Sequence, residues 1–256
     1  MWTRKADEQD GGRTEGFLQR LLGKNKTEEL TCSAVVPAAG RSNRMGEDKI
    51  LLPIGEVPVL LRTLRTLEAC PYITEIIVVT REDLIVPVAQ LCKDAALLKV
   101  RKVVVGGENR TASVLAGLRE VDSNAQLIAI HDGARPLVTE EIINETVLRA
   151  AQCGAASPAV PVKDTIKRAV AGTVVDTPDR SELYAVQTPQ VFEHGLILGA
   201  LEKAAADGVE LTDDCAAVER LGVPVQLTMG SYENIKLTTP SDLAVAEVIL
   251  EGRGEL

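Results

Sequence analysis

From residue 31 onward, short apolar runs rich in β-branched residues alternate with longer segments whose apolar positions recur every three or four residues. The first run, 32–37, is apolar almost throughout, the pattern of a strand buried on both faces. The next segment, 58–70, places Leu60, Leu64 and Leu67 on one helical face. The same reading gives a strand at 75–80, a helix at 83–95 and a strand at 100–105. A helix at 110–121 follows, with Asn109 as its cap, and then a strand at 126–130. A helix at 139–152 has Thr139 as N-cap, with Glu140 and Glu141 at its positive end. This βα alternation predicts an α/β fold: a mostly parallel sheet, right-handed crossovers and helices on both faces. The rhythm breaks after a strand at 157–162. Residues 163–187 are polar and charged, lack a helical period and hold too few apolar residues to fold alone. Two β-like pieces, 165–170 and 173–177, flank a turn at Ala171-Gly172, so the segment reads as a protruding β-arm. Such an arm must pack on something, and a second subunit is the natural candidate. Helices are expected again at 193–206 and 213–221, and short strands at 225–229 and 234–238. Thr239-Pro240-Ser241-Asp242 then has the order of a helix start: cap, proline, and an acid at the third position.

The 256 residues, 45% apolar and 25% charged, suit one globular domain at 31–256. Residues 1–30 form an extension of unassigned role. It carries mixed charge and no apolar core of a secretory signal, and Phe17 to Leu22 has the spacing of one or two helical turns. A net charge of −9 argues against broad binding to nucleic acid or to an anionic membrane. Aromatics at 2% leave no stacking platform for single strands. Five cysteines, an odd count without a CxxC pair, and two histidines point to neither a disulfide framework nor a zinc site. A reducing cytoplasm fits that usage, and no apolar run reaches the length of a membrane span.

In open parallel sheets, ligands bind beyond the carboxyl ends of the strands. The first strand delivers Pro37-Ala38-Ala39-Gly40, then Arg41, Arg44, Gly46 and Lys49. Small residues let backbone N–H groups approach a ligand, and the cations suit a polyphosphate. The loop is neither a GxGxxG fingerprint nor a Walker A motif: five residues separate Gly40 from Gly46, and Glu47 stands where the lysine belongs. The strand at 100–105 delivers Gly106-Gly107-Glu108-Asn109-Arg110 and, one turn on, Ser113. The next delivers His131-Asp132-Gly133-Ala134-Arg135-Pro136, where Asp132 is a candidate Mg²⁺ ligand beside phosphates. His131 reads as a structural hydrogen-bonding group. Thr188-Pro189-Gln190, Thr212-Asp213-Asp214 and Lys236 follow the arm, and singly each reads as turn or cap chemistry.

The motifs VPAAGRSNRMG with Lys49, GGENRTASVLAGL, HDGARP, VKDTIKR, TPQ at 188–190, LTDD and NIKLTTPSDL occur in this order. Together they resemble the 2-C-methyl-D-erythritol 4-phosphate cytidylyltransferases of the non-mevalonate isoprenoid pathway, across nearly all of the chain after Leu30. The resemblance implies a Rossmann-like nucleotidyltransferase fold, Mg²⁺ as cofactor, and a homodimer with interlocked β-arms. It implies CTP and a polyol phosphate as substrates. Pro37, Ala38, Ala39 and Gly40 then line the CTP site, and Gly107 and Ser113 contact the cytosine. Arg44 and Lys49 stabilise the transition state. Asp132 lies by metal and substrate, with Arg135 among the substrate-binding residues. Thr165 and Arg180 reach the partner's substrate, and Thr188, Thr212 and Lys236 complete the pocket. Two departures stand out: Asp48 precedes Lys49 where the family commonly has proline, after a shorter loop, and Arg41 and Asn43 replace small or aromatic residues. In-line attack by a phosphate already ionised near neutral pH needs positioning and neutralising cations but no strong base. The absence of a Ser–His–Asp or Cys–His set agrees with that. A ribitol-5-phosphate cytidylyltransferase is the alternative within the class. A P-loop NTPase fails on the Walker A spacing, and Arg44, Lys49, Asp132 and Lys236 together argue against a non-enzymatic regulator.

Overall fold

Six consecutive residues, Cys32–Pro37, form the central strand β1 of the computed structural model, which describes residues 30–40 and 48–256. A small ribbon, β2 (Pro53–Ile54) and β3 (Val57–Pro58), leads into helix α1 (Val59–Ala69) and β4 (Ile73–Thr80). A single 3₁₀ turn at Glu82–Leu84 precedes α2 (Ile85–Asp94), followed by β5 (Val100–Val105) and α3 (Arg110–Leu118). Then come β6 (Leu127–Ile130), α4 (Glu140–Cys153) and β7 (Ala155–Pro161). The arm carries β8 (Arg168–Val170) and β9 (Thr173–Asp176), and the chain returns through β10 (Tyr184–Val186) and β11 (Gln190–Glu193). Helices α5 (His194–Ala206) and α6 (Asp214–Glu219), strand β12 (Gln226–Met229) and helix α7 (Pro240–Arg253) complete the described chain.

The main sheet runs β10-β7-β11-β6-β1-β4-β5, with β12 also on β7. Strands β6, β1, β4 and β5 are mutually parallel, as the alternation requires. Alternate residues of β1 decide the two core layers. Ala34 and Val36 pack with Leu60, Leu64 and Leu67 of α1, Val88 of α2, and Ile143 and Val147 of α4. Val35 faces the other way, into Val114 and Leu118 of α3, Leu201 of α5 and Val218 of α6. Helix α7 closes a smaller cluster with Ile54, Val59, Leu137 and Leu237. The predicted caps form: Asn109 accepts from the Ala112 N–H at 2.8 Å, and Thr139 from the Ile142 N–H at 3.4 Å.

Two expectations are corrected. Residues 234–238 form no strand. They lie against the β6–α4 loop instead, where the Leu237 N–H donates to the Ala134 carbonyl at 2.9 Å and Arg135 donates to the Asn234 carbonyl at 2.7 Å. Polar groups satisfied by a loop leave no ladder to join. Residues 188–190 are more than a turn, because Gln190 begins β11, which inserts antiparallel between β6 and β7. Ala156 pairs with both Val191 and Gln226, and Ala159 with both Val186 and Met229. So β10 and β11 share one side of β7, and β12 takes the other.

The arm projects from this edge as a hairpin around Ala171 and Gly172, both at positive φ (49° and 80°). Its apolar side chains Val170 and Val174 are 62% and 55% exposed in the single chain. The base of the arm is held to the domain. Lys163 lies 3.4 Å from the centroid of the Tyr232 ring, and the Tyr232 hydroxyl donates to the Pro161 carbonyl at 2.7 Å.

Candidate active site

The carboxyl ends of β1, β4, β5 and β6 meet at a cavity of about 1100 Å³. Its floor is Pro37 to Gly40, fixed to the neighbouring strand: the Ala38 N–H donates to the Val79 carbonyl at 2.7 Å and the Thr80 hydroxyl to the Ala38 carbonyl at 3.3 Å. One wall is the Gly106-Gly107 turn into α3. A Cβ on Gly106 would sit 2.8 Å from Ser113 Oγ, and one on Gly107 would collide with the Ala112 side chain, so this turn hugs the helix only with glycine. Ser113 secures it, donating to the Asn109 carbonyl at 2.9 Å and accepting from the Gly107 N–H at 3.2 Å.

Asp132, at the end of β6, is the electrostatic centre. Its carboxylate lies 2.9 Å from Lys236 Nζ, 3.4 Å from Arg135 Nε and 3.8 Å from Arg110 Nε. Burial opposes its charge, but Lys236, Arg110 and Arg135 outweigh burial and hold its pKa at about 2. The Asp132 N–H donates to Thr188 Oγ1 at 3.1 Å, and Thr188 lies 3.1 Å from His131 Nδ1. His131 Nε2 faces the Arg135 carbonyl at 3.3 Å, so the neutral tautomer that satisfies both contacts carries its proton on Nε2 and accepts the Thr188 hydroxyl at Nδ1. Burial keeps His131 neutral, with its pKa pushed down to about 4.

The cavity thus brings together Pro37, Ala38, Ala39, Gly40, Lys49, Gly107, Ser113, Asp132 and Lys236. Arg135 and Thr188 do not line it; they brace Asp132 from behind. Thr165 and Arg180 stand on the arm outside it, where Arg180 donates to the Lys163 carbonyl at 2.9 Å. Thr212 is exposed and does not line the cavity. Arg44 lies outside the described residues.

A further charged side chain at the cavity is Arg110, which lines it and grips Asp214 with two hydrogen bonds, at 2.8 and 2.5 Å. Burial works against its charge, but fully buried Asp214 more than offsets that and keeps the guanidinium protonated. A basic residue at the positive end of a helix opposes the dipole, and that misfit is the sequence signal for Arg110. Asp213 caps α6 through the Ala216 N–H at 3.0 Å, which leaves Asp214 for the arginine.

A small-residue floor, a glycine turn and a carboxylate ringed by cations suit a nucleoside triphosphate meeting a second anion. The profile of the family described as 2-C-methyl-D-erythritol 4-phosphate cytidylyltransferase matches residues 32–252. The chain belongs to this cytidylyltransferase family. Its relatives under that name include the protein of Caldanaerobacter subterraneus subsp. tengcongensis, 47% identical over 229 residues, covering 86% of this chain and 99% of the relative. That of Desulforamulus reducens is 46% identical over 228 residues, covering 86% and 96%. Among solved structures, the 4-diphosphocytidyl-2C-methyl-D-erythritol synthase of Anaerococcus prevotii superposes with a TM-score of 0.78 at 32% identity, covering 86% of this chain and 96% of that one. The cytidylyltransferase of Thermus thermophilus gives 0.72 at 30% identity, covering 86% and 99%. Membership makes the chain a nucleotidyltransferase with the Rossmann-like fold of that family. Among the described residues no helix is long and apolar enough to cross a membrane.

Proposed function

We propose that this cytidylyltransferase transfers CMP from CTP to 2-C-methyl-D-erythritol 4-phosphate, releasing pyrophosphate. The observation that carries the reading is the Asp132 cluster facing a glycine-walled nucleotide cavity, in a chain of this family. The cytosine is read by backbone groups near Ala38 and Gly107 and by Ser113. The triphosphate lies over Pro37 to Gly40, with Arg44 and Lys49 on the phosphates. The sugar-alcohol phosphate binds at Lys236, with Arg135 and Thr188 holding Asp132 in place behind it.

An oxygen of the substrate phosphate attacks the α-phosphorus in line. A phosphoanhydride bond forms as the bond from the α-phosphorus to the bridging oxygen breaks, and both electrons of that bond leave with pyrophosphate. The attacking phosphate has its second pKa near 6 and is already an anion, so no base must deprotonate it. Asp132, with its pKa held at about 2, stays ionised and serves to aim the surrounding cations rather than to shuttle a proton. Lys236, with a side chain 39% exposed, is held by Asp132 at the point where a second anion enters.

The donor set fits a magnesium ion that arrives with the nucleotide. Asp132 offers one carboxylate at the cavity wall and substrate phosphates supply further oxygens, whereas no group of three acidic, histidine or cysteine side chains is set to hold a resident ion among the described residues. Asp132 would hold such an ion, which would neutralise the triphosphate when bound. The chain works as a homodimer through exchanged arms, with Thr165 and Arg180 reaching the partner's site; the exposed apolar residues of the arm support this. A cytoplasmic setting is supported by five free cysteines, four of them buried. The test is pyrophosphate release from CTP, UTP, ATP and GTP, each with methylerythritol phosphate and with ribitol 5-phosphate. CTP with methylerythritol phosphate should lead clearly. Equal turnover of the four nucleotides, or faster turnover of ribitol 5-phosphate, overturns the reading.

A further inference from the structure

One charged cluster at the cavity rim is left unused by this mechanism. Arg81 follows directly on β4 and lies between two carboxylates. It donates to Asp48 through Nη1 at 2.7 Å and Nη2 at 2.9 Å, and to Asp83 through Nε at 3.0 Å and Nη2 at 2.9 Å. Arg81 and Asp83 line the cavity, and the Arg81 side chain is only 19% exposed. A bidentate arginine–carboxylate pair fixes direction as well as distance, unlike a single surface contact.

Asp48 opens a tight turn, in which its carbonyl accepts the Leu51 N–H at 2.8 Å. Lys49 is the second residue of that turn, and Ile50, the third, is buried in the core under α1. So Lys49 stands between one residue tied by its carboxylate and another tied by its apolar side chain. From there its ammonium donates to the Leu237 carbonyl at 3.0 Å, in the loop that carries Lys236. The chain of fixation runs from the sheet edge through Arg81 and Asp48 to Lys49, and on to the second cation of the site.

We infer that Arg81 and Asp48 are positioning residues for the cytidylyl transfer, aiming Lys49 at the phosphates of CTP. This rests on the reading of Lys49 as a phosphate ligand. Both guanidinium edges that could meet a phosphate are occupied by carboxylates, so Arg81 acts through Asp48 and not on the substrate. Asp83 keeps Arg81 extended from β4 toward Asp48. The pair also answers the departure in the sequence: without a proline before it, Lys49 is oriented by an ion pair instead of by a fixed backbone angle.

The experiment is steady-state kinetics with CTP and methylerythritol phosphate on Asp48→Asn, Arg81→Gln and the double variant, each with Lys49 intact and with Lys49→Ala, alongside thermal unfolding. Each single variant should lose kcat about tenfold, less than the roughly 100-fold that a 1 Å misplacement can cost, with a smaller change in KM for methylerythritol phosphate. The double variant should be no worse than either single one. Arg81→Lys should rescue little, because an ammonium cannot reproduce the paired donors. In the Lys49→Ala background neither substitution should lower kcat further. Multiplying effects, or an equal loss with Lys49 absent, overturn the inference. So does loss in Arg81→Gln with wild-type kcat in Asp48→Asn, which makes Arg81 a direct ligand. A strong defect in Lys49→Ala beside normal pair variants sinks the inference alone, whereas wild-type kcat in Lys49→Ala sinks the reading of the site as well. If Asp48→Asn does not fold, Asp48→Glu keeps the charge but displaces the carboxylate by a methylene, and wild-type kcat there overturns the inference.

Discussion

Lys236 shares the Asp132 carboxylate with Arg135 and Arg110, and it is the member of that set with the most exposed side chain. A cation held by its partner at 2.9 Å is aimed in advance of the substrate, so its loss touches both binding and reaction. Lys236→Ala should therefore raise KM for methylerythritol phosphate and lower kcat together. Arg44→Ala should behave differently. If Arg44 meets charge that grows only in the transition state, kcat should fall by roughly 100-fold or more while KM for CTP changes less. Kinetics of both variants against both substrates checks the contrast, and more than about half of wild-type kcat in Arg44→Ala refutes the role, since even a tenfold loss is only 1.36 kcal/mol. His131 gives a stability prediction instead. Burial lowers its folded pKa to about 4, below the ordinary 6.5 that the unfolded chain would show. Between those values the unfolded state binds more protons, so stability falls as the pH drops through that window, by about 3 kcal/mol for this group alone. Asp132, depressed to about 2, adds its own loss only below pH 3.8. Urea midpoints of the wild type should fall between pH 6.5 and 4. His131→Asn, although less stable at pH 7, should lose much of that slope; an unchanged slope assigns the effect elsewhere.

The elements explain why Arg110 and Asp214 belong to each other. Arg110 opens α3 at its positive end, an unfavourable place for a cation, and buried Asp214 at the start of α6 compensates it from 104 residues away. Asp214→Ala should strip that guanidinium of its hydrogen-bonded partner, leaving only Asp132 at 3.8 Å, and cost about 3 kcal/mol, whereas Arg110→Leu combined with Asp214→Leu should recover most of the loss. Denaturant unfolding of the three proteins measures it, and a double variant no better than Asp214→Ala contradicts the pairing argument. That pairing shows the limit of what the sequence makes legible. Long periodic helices and the unbroken apolar strand at 32–37 read directly, because burial on one face or on both leaves a pattern over many residues. The site is legible to the extent that a parallel sheet delivers strand ends to one edge, which is why Pro37 to Gly40, Gly107, Ser113 and Asp132 share a cavity. Strands of three or four residues such as β10 and β11 are too short to show a period. Residues 234–238 have a strand's composition, but their backbone partners lie on the loop at 134–135, a tertiary fact without local trace. The motif at 211–214 gives no sign of which of its members turn inward: Thr212 is exposed, Asp214 holds Arg110, and Asp213 meets the Gln190 amide at 2.8 Å.

At the scale of the whole molecule, the arm is out of proportion to what a single chain can use. Val170, Val174 and Val175 are all at least half exposed, and Thr165 and Arg180 stand outside the cavity that their motif associates with substrate. The proposed arm exchange would resolve both facts at once, because a partner would cover the apolar hairpin and receive the two polar side chains. The consequence is separable by mixing two disabled proteins. Take Arg180→Ala, which keeps Lys236, and Lys236→Ala, which keeps Arg180. If each site is built from the Lys236 of one protomer and the Arg180 of the other, a heterodimer contains one site with both residues intact and one with neither. Random reassortment makes half of the dimers mixed, and half of the sites in those are whole, so activity should return to about a quarter of wild type from two nearly inactive stocks. If Arg180 served its own chain, each site of the heterodimer would carry one lesion and mixing would restore nothing. The measurement is pyrophosphate release after unfolding the two variants together and refolding them, with each refolded alone as the control. Recovery no greater than the mean of the two controls, while light scattering shows that dimers have re-formed, excludes arm exchange into the site.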